Sequence, residues 1–190
     1  MKISIALLVF FSFIFPGDVR VIKLEMKPEL FTSDIFDNLY IYGNNKIIKY
    51  DKSGNYLSQF SAAEFGRLHT LDVSDPFRIL LFYKDYNTLV FLDNRMNLLG
   101  QPFILGKSGF PLADAVGFSR LNGFWVYESN SGKLFLYSFN HQKSIREIDL
   151  SRNHSIADFE YLVEHANEIY LLRKDGNPLV YNFISGNMTL

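Results

Sequence analysis

Short runs of apolar and aromatic residues alternate with short polar segments along almost the whole chain after residue 18. The clearest runs lie at residues 39–42, 47–50 and 56–60, and the segments between them are rich in Asn, Gly and Asp. Runs of this length that are rich in β-branched and aromatic residues are typical of strands, and helical periodicity is almost absent. Asn and Gly adopt the positive φ values that tight hairpin turns require. The pattern predicts consecutive antiparallel hairpins.

The same arrangement recurs at a nearly constant interval. Its third strand ends in an apolar or aromatic residue in every unit, and these markers are 42, 45 and 44 residues apart. A period in the forties with about four strands per unit is the signature of a β-propeller blade, which buries its faces against neighbouring blades. An up-and-down barrel or a sandwich also has short strands, but neither explains the period. The markers are Tyr50, Leu92, Tyr137 and Tyr181.

Candidate first strands precede three of these units, at residues 69–73, 115–119 and 158–163. Residues 19–26 predict an additional strand of the kind that completes the last blade of a closed ring, although residues 187–190 fit the same place. The expected fold is therefore all-β and propeller-like, with about four blades of four antiparallel strands. Four blades are the lower limit for a propeller, so the expected domain is either a minimal ring or an open arc.

The N-terminus has the pattern of a secretory signal peptide. Lys2 is followed by thirteen uncharged residues, 3–15, and then by the turn-forming segment 16–18. Thirteen residues extend only about 20 Å as a helix, which is too short for a hydrocarbon core of about 30 Å. Residues 1–17 are predicted to be the signal peptide and 18–190 a single propeller-like domain. An uncleaved interfacial anchor and a buried first strand are the alternatives.

Composition narrows the function classes. The chain has no cysteine, which excludes disulfides, thiol nucleophiles and cysteine zinc sites. The formal net charge is -1 and the isoelectric point about 6.4, and the basic residues form no stripe, so nucleic acid is not an expected partner. After the N-terminal run, no other segment approaches the length of a membrane span.

One stretch carries a resemblance to a known family. Residues 71–93 (LDVSDPFRILLFYKDYNTLVFLD), followed by 123–128 and 134–137, resemble an uncharacterised family of exported, β-propeller-like proteins of Bacteroidota. The likeness extends loosely over residues 35–185. It implies an exported protein, located in the periplasm or outside the cell of a Gram-negative bacterium. The family has no catalytic motif to transfer.

The residues that could act in catalysis or bind a metal form no recognisable catalytic or metal-binding motif. The four histidines show no metal-binding spacing, so no cofactor or metal is expected, and His69 is expected to be a structural histidine. Residues 106–109 (GKSG) lack the rest of a phosphate loop. Segments 51–55 and 93–97 are interpreted as turns and not as calcium loops. The acidic residues near the C-terminus are expected to be solvated loop charges: Asp149, Asp158, Glu160, Glu164 and Glu168.

Two functions of different classes follow. The favoured one is a non-catalytic interaction or scaffold module of the bacterial cell envelope, whose partner is a protein or peptide, including a component of a membrane-protein complex. Propeller faces present loops from every blade, and exposed aromatic side chains on them would act as anchors. For most of the candidate anchors, core packing is the expected role. These candidates are Arg78, Tyr83, Tyr86, Phe110 and Trp125.

The alternative function is an envelope hydrolase or a carbohydrate-binding propeller with its site in the central funnel. Such a site needs acidic residues that converge on the axis from several blades. Asp72, Asp114 and Asp158 recur once per blade, at spacings of 42 and 44 residues, and are the candidates. Their structural alternative is to cap turns or to bond to the loops that join blades.

Overall fold

A computed structural model describes residues 24, 26–151 and 159–189. These residues form four sheets of four consecutive antiparallel strands, which we number as blades 1 to 4. Blade 1 contains β1 (Leu30–Ser33), β2 (Leu39–Gly43), β3 (Lys46–Tyr50) and β4 (Tyr56–Ser61). Blade 2 contains β5 (Thr70–Asp72), β6 (Ile79–Tyr83), β7 (Thr88–Leu92) and β8 (Phe103–Ile104).

Blades 3 and 4 repeat this order. Blade 3 contains β9 (Ala115–Ser119), β10 (Gly123–Glu128), β11 (Lys133–Ser138) and β12 (Lys143–Asp149). Blade 4 contains β13 (Phe159–His165), β14 (Glu168–Arg173), β15 (Pro178–Asn182) and β16 (Met188–Thr189). Short 3₁₀ helices span Ala63–Phe65, Lys84–Tyr86 and Leu105–Ser108. The predicted four-bladed, all-β architecture is confirmed.

The outermost strand of the last blade is β16. It pairs with β15 through Val180↔Thr189 and Tyr181↔Met188. Of the two segments predicted for this place, the C-terminal one occupies it. Most of segment 19–26 lies outside the described residues, as does the predicted signal peptide at 1–17, and Leu24 and Met26 are not in a strand.

The core consists of three hydrophobic clusters, each between two successive blades. Neighbouring residues of one strand enter different clusters: in β6, Leu81 packs towards blade 1 and Leu80 towards blade 3. Strands of this kind are apolar at every position because both of their faces are buried. Representative members are Tyr40 and Leu92 between blades 1 and 2, Phe91 and Phe124 between blades 2 and 3, and Trp125 and Leu162 between blades 3 and 4.

None of these three clusters joins blade 4 to blade 1, so the described blades form an open arc. The outer face of blade 4 shows the consequence. In β14, Ile169 and Leu171 are buried against blade 3, whereas Tyr170 and Leu172 on the opposite face are exposed. Such alternation is expected for a sheet that is covered on one side only.

Polar side chains also tie the blades together. The Asp72 carboxylate accepts the backbone N–H of Phe118 in the next blade, at 2.8 Å. Lys49 in blade 1 donates to the backbone carbonyl of Asn94 in blade 2, at 2.9 Å. At Gly117 of β9, a Cβ atom would lie 2.5 Å from the Leu162 carbonyl oxygen, so only glycine allows blades 3 and 4 to approach this closely.

The turns between the third and fourth strands of blades 1 and 2 are fixed by short polar side chains. Asp51 accepts the backbone N–H groups of Ser53 and Asn55, and Asp93 accepts those of Arg95 and Asn97. This network is that of an Asx turn. The interpretation of both segments as turns is confirmed.

The first strands of all four blades run in the same direction along the arc axis. The end of β5 bonds to the end of β9 through Asp72, and the ends of β9 and β13 are joined by Ser119 and Glu164. Arg67 before β5 pairs with Glu29 before β1, at 3.2 Å. The arc therefore has two distinct ends along this axis, which differ from its first and last blades. We call the end at which β1, β5, β9 and β13 begin the near end, and the end at which they finish the far end.

Candidate functional site

The first far-end loop joins β1 to β2 and is shaped by Asp34. One oxygen of its carboxylate accepts the backbone N–H groups of Phe36 and Asn38, at 2.9 and 3.0 Å, and the other accepts the Tyr40 hydroxyl, at 2.9 Å. Burial by itself would raise the pKa of Asp34, but the hydrogen bonds hold that pKa below its ordinary value. With its polar groups turned inwards, the loop leaves Ile35 74% and Phe36 52% exposed.

The second far-end loop joins β5 to β6 and projects Phe77. The Asp75 carboxylate accepts the Phe77 backbone N–H at 2.9 Å, and the Asp75 carbonyl accepts that of Arg78 at 3.1 Å. The tight turn leaves Phe77 62% exposed, and its ring meets the Phe36 ring edge-to-face with 6.0 Å between centroids. Two loops from different blades thus place one aromatic pair in solvent.

A groove of about 430 Å³ lies beside this pair, between the loops of blades 1, 2 and 3. Ile35 and Phe77 form its apolar side, and Arg78 and Arg120 form its basic side. The guanidinium of Arg78 lies 4.8 Å from the centroid of the Phe139 ring and donates to Asn122. We call this site the far-end groove.

Arg120 differs from Arg78 in having an exposed side chain. Its backbone N–H donates to the Glu164 carboxylate at 3.1 Å, which fixes the main chain at the end of β9. In the described parts of the chain, no carboxylate forms an ion pair with its guanidinium. The groove therefore combines solvent-exposed apolar surface with one available positive charge.

The second concave site is the central cavity, of about 380 Å³, lined by β1, β5 and β13. His69 stacks on Tyr161 with 5.5 Å between ring centroids, and its Nδ1 lies 3.0 Å from the Thr70 hydroxyl. Burial lowers the pKa of His69, and the nearby Lys84 ammonium lowers it further. Val163, which also lines the cavity, is exposed.

Asp72 and Asp114, the two candidate carboxylates within the described residues, do not meet on the axis. Asp72 is the last residue of β5, at the far end, where it accepts the backbone N–H groups of Ser74 and Phe118. Asp114 directly precedes β9 at the near end, where it accepts the Ser129 backbone and hydroxyl groups and pairs with Lys84 at 3.2 Å. Both side chains bond to loops or to the next blade.

The pKa of Asp114 reflects these partners. Burial by itself would raise it, but hydrogen bonds from Ser129 and Lys84 hold the pKa below its ordinary value. Asp114 is therefore an ionised structural acceptor. The third candidate carboxylate, Asp158, lies outside the described residues.

The predicted aromatic anchors divide into buried and exposed residues. Trp125 is fully buried between blades 3 and 4, and Tyr83 and Phe110 are also core residues. Tyr86 is 59% exposed, but it lies at the near end, where its ring approaches Gly66. Of the five candidates, all within the described residues, only Arg78 lines the far-end groove.

Glu164 corrects one expectation from the sequence. Its position near the C-terminus predicts a solvated loop charge, but the side chain is buried between blades 3 and 4. Its Oε2 accepts the Ser119 hydroxyl and the Trp125 indole N–H, each at 2.6 Å. The sequence does not reveal this burial because the two partners of Glu164 lie 39 and 45 residues away along the chain.

Sequence reasoning missed the main far-end residues: Ile35, Phe36, Phe77 and Arg120. A usable signal existed, because the first three are large apolar residues inside segments that otherwise have turn composition. Such residues have few ways to become buried in a short loop, and exposed apolar groups on loops mark interaction surfaces.

The described residues were compared with the patterns of a metal-binding cluster and of a membrane-spanning helix. They contain no cluster of three or more His, Asp or Glu side chains arranged to hold a metal ion. Among the same residues, no helix has both the length and the hydrophobicity needed to cross a membrane.

Comparisons with known proteins establish the fold. Neither a family model nor a curated protein matches the sequence. The structure of U3-55K is similar with a TM-score of 0.63 and 11% identity, over 88% of this chain and 52% of that one. The Pan2 WD40 domain of Neurospora crassa gives a TM-score of 0.59 and 10% identity, over 87% and 49%.

A streptogramin B lyase structure is also similar, with a TM-score of 0.53 and 17% identity, over 81% of this chain and 54% of that one. The chain thus spans about half the length of these solved structures. At these identities the likeness concerns the fold alone, and the fold is that of four successive β-propeller blades.

Proposed function

We propose that the protein is a non-catalytic interaction module of the bacterial cell envelope that binds a protein or peptide at its far end. The observation that carries this proposal is the solvent exposure of Ile35, Phe36 and Phe77 beside a groove. Large apolar side chains clustered on rigid loops provide binding energy because a partner removes them from water. Their loops are held by Asp34 and Asp75, so little conformational entropy is lost on binding.

The envelope location rests on sequence. The N-terminal segment has the pattern of a signal peptide, and residues 71–93 resemble an exported family of Bacteroidota. Export to the periplasm or the cell exterior places the partner among envelope proteins, including components of membrane complexes.

The non-catalytic assignment rests on the positions and hydrogen-bond partners of the described candidate carboxylates. Asp72 and Asp114 lie at opposite ends of the arc, and both are engaged by backbone groups. A glycoside hydrolase of the usual kind needs two carboxyl groups on either side of the scissile bond. The described acidic pair is therefore better suited to holding loops than to acid–base chemistry.

Affinity capture from envelope extracts tests the proposal. The mature chain is compared with a Phe36→Ala/Phe77→Ala double variant and with a Tyr86→Ala control, which removes an exposed aromatic ring from the near end. We expect a partner that is captured by the wild type and the control and lost with the double variant. An identical partner profile for all three proteins, or hydrolysis of an envelope polymer that Asp72→Asn/Asp114→Asn abolishes, would overturn it.

A further inference from the structure

We infer that the far-end groove recognises a peptide segment in which an apolar side chain adjoins a carboxylate. This inference rests on the proposed function and specifies the chemistry of its ligand. The groove has an apolar side, formed by Ile35 and Phe77, and a basic side, formed by Arg78 and Arg120. A ligand that satisfies both sides must carry an apolar group and a negative charge close together.

The apolar side of the groove explains why the ligand should carry an apolar group. Phe77 and Ile35 are more than half exposed, and the Phe36 ring supports Phe77 edge-to-face. The groove volume of about 430 Å³ is sufficient for one large side chain and the adjoining backbone. An aromatic or long aliphatic side chain seated here would shield the exposed rings from water.

The charged side chains of the groove explain why the ligand should also carry a negative charge. Arg78 is committed to Phe139 and Asn122, which leaves Arg120 as the available cation of the described lining. Asp75 is the one carboxylate among the described lining residues, and its Oδ1 already accepts the Phe77 N–H. The Asp72 and Glu164 carboxylates also lie beside the groove, but they accept backbone N–H groups of Phe118 and Arg120, so the positive charge that a ligand meets is local to the exposed Arg120 side chain. A guanidinium binds a carboxylate through two parallel N–H···O bonds, which favours Asp, Glu or a C-terminal carboxylate in the ligand.

Nucleic acid fits the same features poorly. Its phosphates would pair with Arg120, but recognition of a strand needs a basic track, whereas the whole chain carries a net charge of -1. The three exposed apolar side chains match a peptide better than a sugar-phosphate backbone.

Display of random linear dodecapeptides tests the inference. The mature wild-type chain serves as bait, beside Phe77→Ala, Arg120→Glu and a Lys107→Glu control, which makes the same charge change as Arg120→Glu but at the near end. We expect wild-type selections to enrich Asp or Glu within two positions of an aromatic or aliphatic residue. Arg120→Glu should replace this acidic preference with Lys or Arg, and Lys107→Glu should leave it unchanged.

A neutral variant provides a second measurement, because the carboxylate introduced by Arg120→Glu would approach the buried Glu164. Arg120→Gln should bind a selected acidic peptide about tenfold more weakly than the wild type, by fluorescence anisotropy. Phe77-dependent enrichment without an acidic preference overturns the inference and leaves the proposed function standing. Absence of any Phe77-dependent peptide also overturns the inference, while the envelope capture with the Phe36→Ala/Phe77→Ala variant decides the proposed function separately.

Discussion

Trp125 and Phe77 are both large aromatic side chains of the two central blades, but their environments are opposite. Trp125 is fully buried between blades 3 and 4, and its indole N–H donates to Glu164 at 2.6 Å. Phe77 lies on a far-end loop, is 62% exposed and contacts the Phe36 ring, which is also exposed. The first aromatic ring stabilises the arc, whereas the second contributes little to folding and is available to a partner.

Aromatic content by itself therefore does not locate a binding surface. An aromatic ring in a strand of a central blade is covered by the next blade, because both faces of that strand are buried. The rings of Phe36 and Phe77 stay in water because their hydrogen-bonded turns direct these two side chains outwards. Four substitutions test this difference between strand and loop, and their expected effects on stability decrease in the order given below.

Trp125→Ala should have the largest effect on stability. It removes a fully buried side chain and leaves Glu164 without its indole donor. We expect a loss of about 3–5 kcal/mol in the free energy of unfolding, measured by urea denaturation. Tyr86→Ala is the matched control and should change stability by less than about 0.5 kcal/mol. Similar losses for both variants would contradict the assignment of Trp125 to the core.

Glu164→Ala should have the next largest effect. It removes the acceptor of the Ser119 hydroxyl, the Trp125 indole and the Arg120 backbone N–H. We expect about 2–3 kcal/mol of destabilisation, because buried donors without a partner are costly. Glu164→Gln keeps an acceptor oxygen and should recover part of the loss. An unchanged stability for the alanine variant would mean that the carboxylate is not an inter-blade tie.

His69 should make stability depend on pH over a narrow window. Burial and Lys84 lower its pKa in the folded state, while the carboxylates of Glu160 and Asp85 act in the opposite direction. Because the folded-state pKa lies below the unfolded value of about 6.5, the folded protein loses stability as the pH falls below about 6.5. His69→Gln should flatten this loss in thermal unfolding at a series of pH values on both sides of that point. An identical pH profile for both proteins would contradict the expected burial.

Phe77→Ala should have the smallest effect on stability and a large effect on binding. The ring is mostly in solvent, so we expect a change below about 0.5 kcal/mol in the free energy of unfolding. Capture of the envelope partner should decrease strongly, because exposed aromatic anchors carry much of the energy of an interface. A loss of stability as large as that of Trp125→Ala would show that Phe77 belongs to the core.

The blades could be predicted from the sequence because their signals are local and repeated. The strands that contain Tyr50, Leu92, Tyr137 and Tyr181 are found at the predicted positions, and every blade has its own turn residues. Three further strands match the prediction to within one or two residues at each end: residues 39–42 correspond to Leu39–Gly43, 115–119 to Ala115–Ser119, and 158–163 to Phe159–His165.

The site could not be predicted in the same way because it depends on contacts between blades. Glu164 and Trp125 are 39 residues apart, and their hydrogen bond forms only when blades 3 and 4 pack together. The groove likewise needs loops from three blades, which bring Ile35, Phe77 and Arg120 to one place. A constant period predicts that such loops share an end, but not which of their side chains remain exposed.

Site-specific photo-crosslinking in the living envelope tests the far-end interface most directly. A benzophenone amino acid is placed at Phe77 in one strain and at Tyr86 in another. Both are exposed aromatic residues, but Phe77 precedes β6 at the far end and Tyr86 follows β6 at the near end. We expect a discrete crosslinked protein from position 77 that is absent from position 86. Crosslinks from position 86 alone, or equal crosslinking from both positions, would contradict binding at the far end.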